Sequence, residues 1–181
     1  MGELACAASL GYNLSMSNAM QVRLYTHHEA DTEALGRALG GALQAGDVVA
    51  LNGDLGAGKT CLTRGIARGL GITEPVTSPT FILVAEYRTA HGFALYHADT
   101  YRLETAPAAA AQAIGLDELL ADDGVAVVEW AERIAALLPA DHLSITLSAL
   151  DDTTRQVDLQ ATGPRAAALL RAGASGAESK Q

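Results

Sequence analysis

The stretch V-V-A-L-N-G-D-L-G-A-G-K-T-C-L-T-R-G, residues 48–65, decides how the rest of the chain is read. It opens with an apolar run, residues 47–52, of the kind that forms a fully buried parallel strand. It closes in an amphipathic segment, residues 59–70, that predicts a helix stopped by Gly71. Between them, Gly53, Asp54, Leu55, Gly56, Ala57, Gly58, Lys59 and Thr60 match G-x-x-x-x-G-K-[ST] at every position. Glycines in such a loop let successive backbone N–H groups turn inward as a cradle for phosphate oxygens. The helix that follows adds the positive end of its dipole to the same anion. In this pattern the lysine reaches the β- and γ-phosphates and the Thr60 hydroxyl serves a Mg²⁺ ion.

Lysine usage sharpens the reading. The chain has two lysines, Lys59 and Lys180, and every other basic residue is arginine. A compact ammonium with three rotatable donors suits a loop that a planar guanidinium does not.

Length and composition bound the rest. At 181 residues, with 49% hydrophobic and 18% charged, the chain suits one packed domain. A net charge of −9 argues against gripping a nucleic-acid backbone unaided. Cys6 and Cys61 are too few for a disulfide framework or a zinc site, and reduced thiols in the cytoplasm are the expectation. Residues 1–20 carry no Lys or Arg, which excludes a secretory n-region, and no apolar run reaches bilayer length. They read as a disordered extension, residues 21–171 as a single domain, and residues 172–181 as a disordered tail.

Along the chain, strands are predicted over 22–26, 47–52, 80–89, 92–98, 125–129, 142–150 and 155–161. Helices are predicted over 29–44, 59–70, 116–121 and 131–138. His91-Gly92 invites a hairpin, and Asp151-Asp152-Thr153-Thr154 a turn between the last two strands. The expected fold is α/β: a P-loop NTPase-like mixed, mostly parallel sheet flanked by helices.

A nucleotide-hydrolysing loop needs carboxylates to hold the metal shell and place a water. Two apolar runs end in one: F-A-L-Y-H-A-D at Asp99 and V-A-V-V-E at Glu129. Both acids fall where ligands bind in α/β sheets; the lesser alternative is that Asp99 caps a turn and Glu129 the next helix. Trp130, the sole tryptophan, follows directly; it packs in the core or lies by the nucleotide. His97 reads as packed or locally hydrogen-bonded rather than a metal ligand, because no second ligand stands at a useful spacing. Cys61 reads as filler.

No N-K-x-D guanine motif occurs, which excludes a GTPase, and no arginine-rich lid follows the central strands, which disfavours a kinase. A P-loop small-molecule or protein kinase stays as the alternative, with a nucleotide-sensing module as a third. The motifs G-D-L-G-A-G-K-T (53–60), T-S-P-T-F-I-L-V-A-E-Y (77–87), Y-H-A-D-T-Y-R-L (96–103) and V-V-E-W-A-E-R (127–133) together resemble the TsaE (YjeE) family over residues 22–161. That resemblance implies a cytoplasmic ATPase bound to ATP and Mg²⁺. It implies action with TsaB and TsaD in making threonylcarbamoyladenosine at position 37 of ANN-decoding tRNAs. There it would hydrolyse ATP slowly alone, be stimulated by its partners, reset their complex, and meet tRNA only through them.

The resemblance also implies roles residue by residue. Gly53 through Thr60 hold ATP, with Cys61 beside them where a second Thr is common. Thr60, Glu129 and Asp99 attend magnesium, and Lys59, Asp99 and Glu129 form the catalytic set. Ser78 and Thr80 belong to a switch-like segment that Pro79 stiffens, and Arg155 matches a late basic position near the nucleotide, with a solvated strand-edge arginine the equal alternative. Residues 26–29 are the weakest match, assigned to adenine.

Overall fold

The computed structural model describes residues 20–79, 81, 83–103 and 105–178, the last seven by backbone alone. Thr80 and residues 1–19 and 179–181, on which several expectations fall, lie outside the described residues.

Seven strands form one sheet: β1 (Gln21–Thr26), β2 (Val48–Asn52), β3 (Val84–Arg88), β4 (Ala94–Asp99), β5 (Val125–Glu129), β6 (Leu143–Ala149) and β7 (Arg155–Ala161). Their order is β1-β7-β6-β2-β5-β4-β3. The centre is parallel, through β4–β5, β5–β2 and β2–β6, while both flanks are antiparallel. This is the expected α/β mixed sheet, parallel in the middle where burial on both faces favours it.

Alternation along the central strands divides the core in two. Val49, Leu51, Val125 and Val127 pack under α1 (Glu29–Gly40), α2 (Lys59–Gly69) and α5 (Pro164–Glu178), in one cluster with Leu39, Leu62, Ile66 and Leu169. Val48, Ala50, Ala126 and Val128 face the other way, against α3 (Pro107–Ala113), α4 (Leu116–Leu120) and the 3₁₀ segment Ala131–Leu137. A period of two on strands and two covering layers account for near-continuous apolar runs at the centre.

The helices α1 and α2 meet backbone to backbone. A Cβ added to Gly36 would lie 2.9 Å from the Gly65 Cα, and one added to Gly40 3.0 Å from the Gly69 Cα. Two G-x-x-x-G faces, at 36/40 and 65/69, therefore interlock and fix α1 on the helix that leaves the glycine-rich loop. Across the molecule, Asp141 receives the amides of Arg165 and Ala166 at 2.8 and 2.9 Å, capping α5. Arg165 then forks onto Asp47 at 2.8 and 2.6 Å, just before β2.

Several elements differ from expectation. The helix predicted over 29–44 stops at Gly40, because the Gly40-Gly41 pair has the poorest helix propensity short of proline. The strand predicted over 80–89 begins only at Val84, after Leu83 adopts φ 66°. The helix predicted over 131–138 is a kinked 3₁₀ segment, with Ile134 at φ −120°. The alanine-rich helix α3, with Pro107 in its first turn, and the helix α5 have no counterpart in the sequence reading. The backbone of α5 runs past the expected domain end at residue 171, as far as Glu178. Among the described residues no helix is long and apolar enough to cross a membrane.

Candidate phosphate-binding site

The parallel register aligns the C-terminal ends of three adjoining strands. Leu51 stands opposite Glu129, and Glu129 opposite Asp99. The loop after β2 therefore emerges beside two carboxylates, at the sheet edge where α/β proteins bind ligands.

Gly53 and Gly58 have φ of 127° and 107°, which side chains with a Cβ rarely adopt, so the loop needs glycine there. No side chain caps α2 and its first turn carries no acid. Those free amides and the helix dipole suit an anion. Lys59 bends back over the loop and donates to the carbonyls of Gly53 at 2.6 Å and Asp54 at 2.9 Å. Its ammonium also sits 3.8 Å from the centre of the Trp130 ring. Burial pushes the Lys59 pKa down, with Glu129, Glu132, Asp99 and Asp54 pulling it back. An anion arriving at this loop would favour the charged form.

Thr60 donates to Glu129 Oε2 at 3.0 Å, and Glu129 Oε1 lies 2.9 Å from His97 Nε2. Asp99 accepts the Ser78 hydroxyl at 2.5 Å and the Tyr101 amide at 3.0 Å. Both carboxylates are only 3% exposed. Thr100 pins the turn beyond β5 by donating to the carbonyls of Glu129 at 3.1 Å and Trp130 at 2.8 Å. That turn places Trp130 at φ 59°, with its ring centre 5.0 Å from that of Tyr101.

Two cavities flank the loop, each of about 410 Å³. The first is lined by Lys59, Thr60, Ser78, Asp99, Glu129 and Trp130, among others. The second lies between the start of α1 and the β6–β7 turn, lined by His28, Glu29, Thr32, Asp152, Thr153 and Arg155. Gly56, Gly58 and Cys61 line both. The first has the character of a phosphate and cation cleft, with the buried Lys59 ammonium, the Thr60 and Ser78 hydroxyls and the carboxylates of Asp99 and Glu129. An oxygen-only donor set of Thr60, Glu129 and Asp99 fits a hard divalent cation such as Mg²⁺.

The expected residues converge with few exceptions. Lys59, Thr60, Ser78, Asp99, Glu129 and Trp130 share one cavity, and Arg155 with His28 and Glu29 the other. Leu55 stands at the rim, 79% exposed, whereas Ala57 is buried beneath the loop. Of the capping alternatives, Asp99 does receive the Tyr101 amide of its own turn, while Trp130 rather than Glu129 holds the N-cap position of the next segment. His97 and Thr100, which hold Glu129 and the turn after it, escaped the sequence reading as site residues. His97 carried a usable signal, since it stands two residues before Asp99 and so shares its face of β4.

The family model described as "Threonylcarbamoyl adenosine biosynthesis protein TsaE" matches residues 26–157. The tRNA threonylcarbamoyladenosine biosynthesis protein TsaE of Bacillus subtilis is 40% identical over 145 residues, covering 80% of this chain and 89% of that one. Its counterpart from Treponema pallidum is 44% identical over 137 residues, covering 75% and 98%. The crystal structure of Bacillus subtilis YdiB superposes with a TM-score of 0.73 at 35% identity, over 87% of this chain and 96% of that one. With a P-loop fold and these relatives, the chain belongs to the TsaE family of threonylcarbamoyladenosine biosynthesis proteins.

Proposed function

We propose that this protein binds ATP with Mg²⁺ and hydrolyses it in the cytoplasm, as the subunit that resets a TsaB–TsaD complex between rounds of tRNA threonylcarbamoylation. The observation that carries the reading is the Thr60–Glu129 contact beside Lys59, which brings a hydroxyl, a carboxylate and an ammonium to one glycine-rich loop. The triphosphate lies along the loop amides, with Lys59 exchanging its carbonyl partners for β- and γ-phosphate oxygens. Thr60, Glu129 and Asp99 are the residues for the cation, which when bound draws charge from those oxygens. The second cavity takes the nucleoside, with His28, Asp152 and Arg155 around it.

Asp99 also stands where a carboxylate would orient the attacking water. In the free protein the Ser78 hydroxyl occupies one of its oxygens. Slow turnover alone follows, and docking of partners that shifts the 77–79 segment completes the site. A chain with net charge −9 leaves contacts to the tRNA backbone to its partners.

Phosphate release measured with and without the TsaB–TsaD pair tests the reading. Stimulation by the pair, abolished by Lys59→Ala, is the expected result. Turnover that persists in the Lys59→Ala protein would refute the loop's role, and absence of stimulation would refute the partnership. Transfer of the γ-phosphate to an acceptor other than water would make the protein a kinase instead.

A further inference from the structure

His97 lies on β4 with no exposed surface, in a stretch that is otherwise built to pack. Strand alternation and the β4–β5 register put His97, Asp99, Val127 and Glu129 on one face of the sheet, the face that α2 covers. From there its Nε2 reaches Glu129 Oε1 at 2.9 Å, while Thr60 holds Oε2 at 3.0 Å. Each oxygen of a buried carboxylate is thus gripped from a different element, one by β4 and the other by α2.

The remaining ring nitrogen, Nδ1, is buried with no hydrogen-bond partner among the described residues. An ionised carboxylate only accepts, so the imidazole proton sits on Nε2. A leucine would occupy a similar volume without an orphaned nitrogen, so packing alone does not account for an imidazole here.

We propose that His97 is a positioning residue that sets Glu129 for a divalent cation. Its Nε2–H fixes the plane of the carboxylate, so that Oε2 keeps its place against Thr60 at the mouth of the phosphate cleft. The terminal torsion of glutamate is broad, and without this donor the carboxylate turns freely. Partners that orient metal-binding groups typically change metal affinity by about 10–100-fold when removed. The inference rests on the ATP–Mg²⁺ reading of the cleft, and its test separates the two.

Equilibrium binding of ATP is measured across a Mg²⁺ titration and again in EDTA, for the unaltered protein, His97→Leu and His97→Gln. The Leu protein is expected to need at least about tenfold more Mg²⁺ for half of the effect. Its affinity for ATP in EDTA changes far less. The Gln protein, whose terminal N–H can stand where Nε2 stands, recovers most of the Mg²⁺ response. Should the Leu protein fail to melt cooperatively, His97→Asn replaces it, because its shorter amide falls short of Glu129; the same loss is expected. An unchanged Mg²⁺ requirement in the variants, or equal loss in the Gln and Leu proteins, overturns the role given to His97. If ATP binding by the unaltered protein ignores Mg²⁺, the ATP–Mg²⁺ reading falls and this inference falls with it.

Discussion

The carboxylate of Glu129 has two held oxygens and almost no exposure, so its charge is where the site is most sensitive. Glu129→Gln keeps the shape but removes the charge a cation needs. The Mg²⁺ concentration for half-maximal ATP binding should rise at least about tenfold, with little change in melting temperature. A Mg²⁺ titration of ATP binding reads the first and a thermal melt the second. The identities of Lys59, Thr60 and Glu129 were legible because one spacing and one apolar run point at them. The conformation of Trp130 was not. Trp130 takes a left-handed φ of 59° where Thr100 donates to the carbonyls of Glu129 and Trp130, a contact 30 positions away in sequence. Nothing local to E-W announces it.

At the scale of elements, the α1–α2 contact shows what hydrophobic patterning leaves out. Periodicity marks Leu35 and Leu39 as the buried face of α1, yet Gly36 and Gly40 set how closely α2 can approach. Paired glycines four apart were present in the sequence on both helices, but read singly each looks like a weak point. Gly36→Ala or Gly65→Ala should destabilise the fold by about 3 kcal/mol, since overpacking a backbone-to-backbone seam forces the helices apart. Gly41→Ala is the control. Its Cβ would meet nothing nearer than the Arg37 carbonyl at 3.6 Å, so stability should move by less than about 1 kcal/mol. Urea unfolding distinguishes the two. The β6–β7 turn offers a second case, one the sequence did disclose. Asp151 accepts the amides of Thr154 and Thr153 at 2.7 and 2.9 Å. Those bonds, Thr154 first, hold its carboxyl down at about 2 against an ordinary 3.8. A depressed carboxyl stabilises the folded state above 3.8 and loses that contribution as pH falls toward about 2. Asp151→Asn should therefore flatten the pH dependence of the urea midpoint across that interval, while leaving it unchanged elsewhere on the acid side.

Across the whole molecule, strand existence was readable but strand order was not. β2, the strand before the loop, ends up between β5 and β6, which follow it by dozens of residues, and β1 reaches the sheet only through β7. Such order is set by long-range packing, not by any segment's own pattern. The closure of the last layer depends on an equally distant pair. Asp47 is 5% exposed and accepts both arms of the Arg165 fork, and the same guanidinium donates to the Ala42 carbonyl at 3.0 Å. The side chains stand 118 positions apart, joining the entry to β2 with the start of α5. Removing the arginine strands a buried carboxylate, which still accepts the Gln44 amide at 2.7 Å but has lost its counter-charge. Loss of one partner of a fully buried pair costs about 3–5 kcal/mol; Arg165 is partly in solvent, so Arg165→Ala should cost about 2 kcal/mol. The double change Asp47→Asn with Arg165→Ala removes the stranded charge and should recover part of that loss. Denaturant unfolding of the two single variants and the double gives the coupling energy directly. The phosphate cleft lies at the opposite end of β2, so ATP binding by the folded fraction should be the same in all of them. Recovery in the double variant, with ATP affinity constant, would locate the contribution of this pair in holding the start of α5 to the entry of the central strand β2.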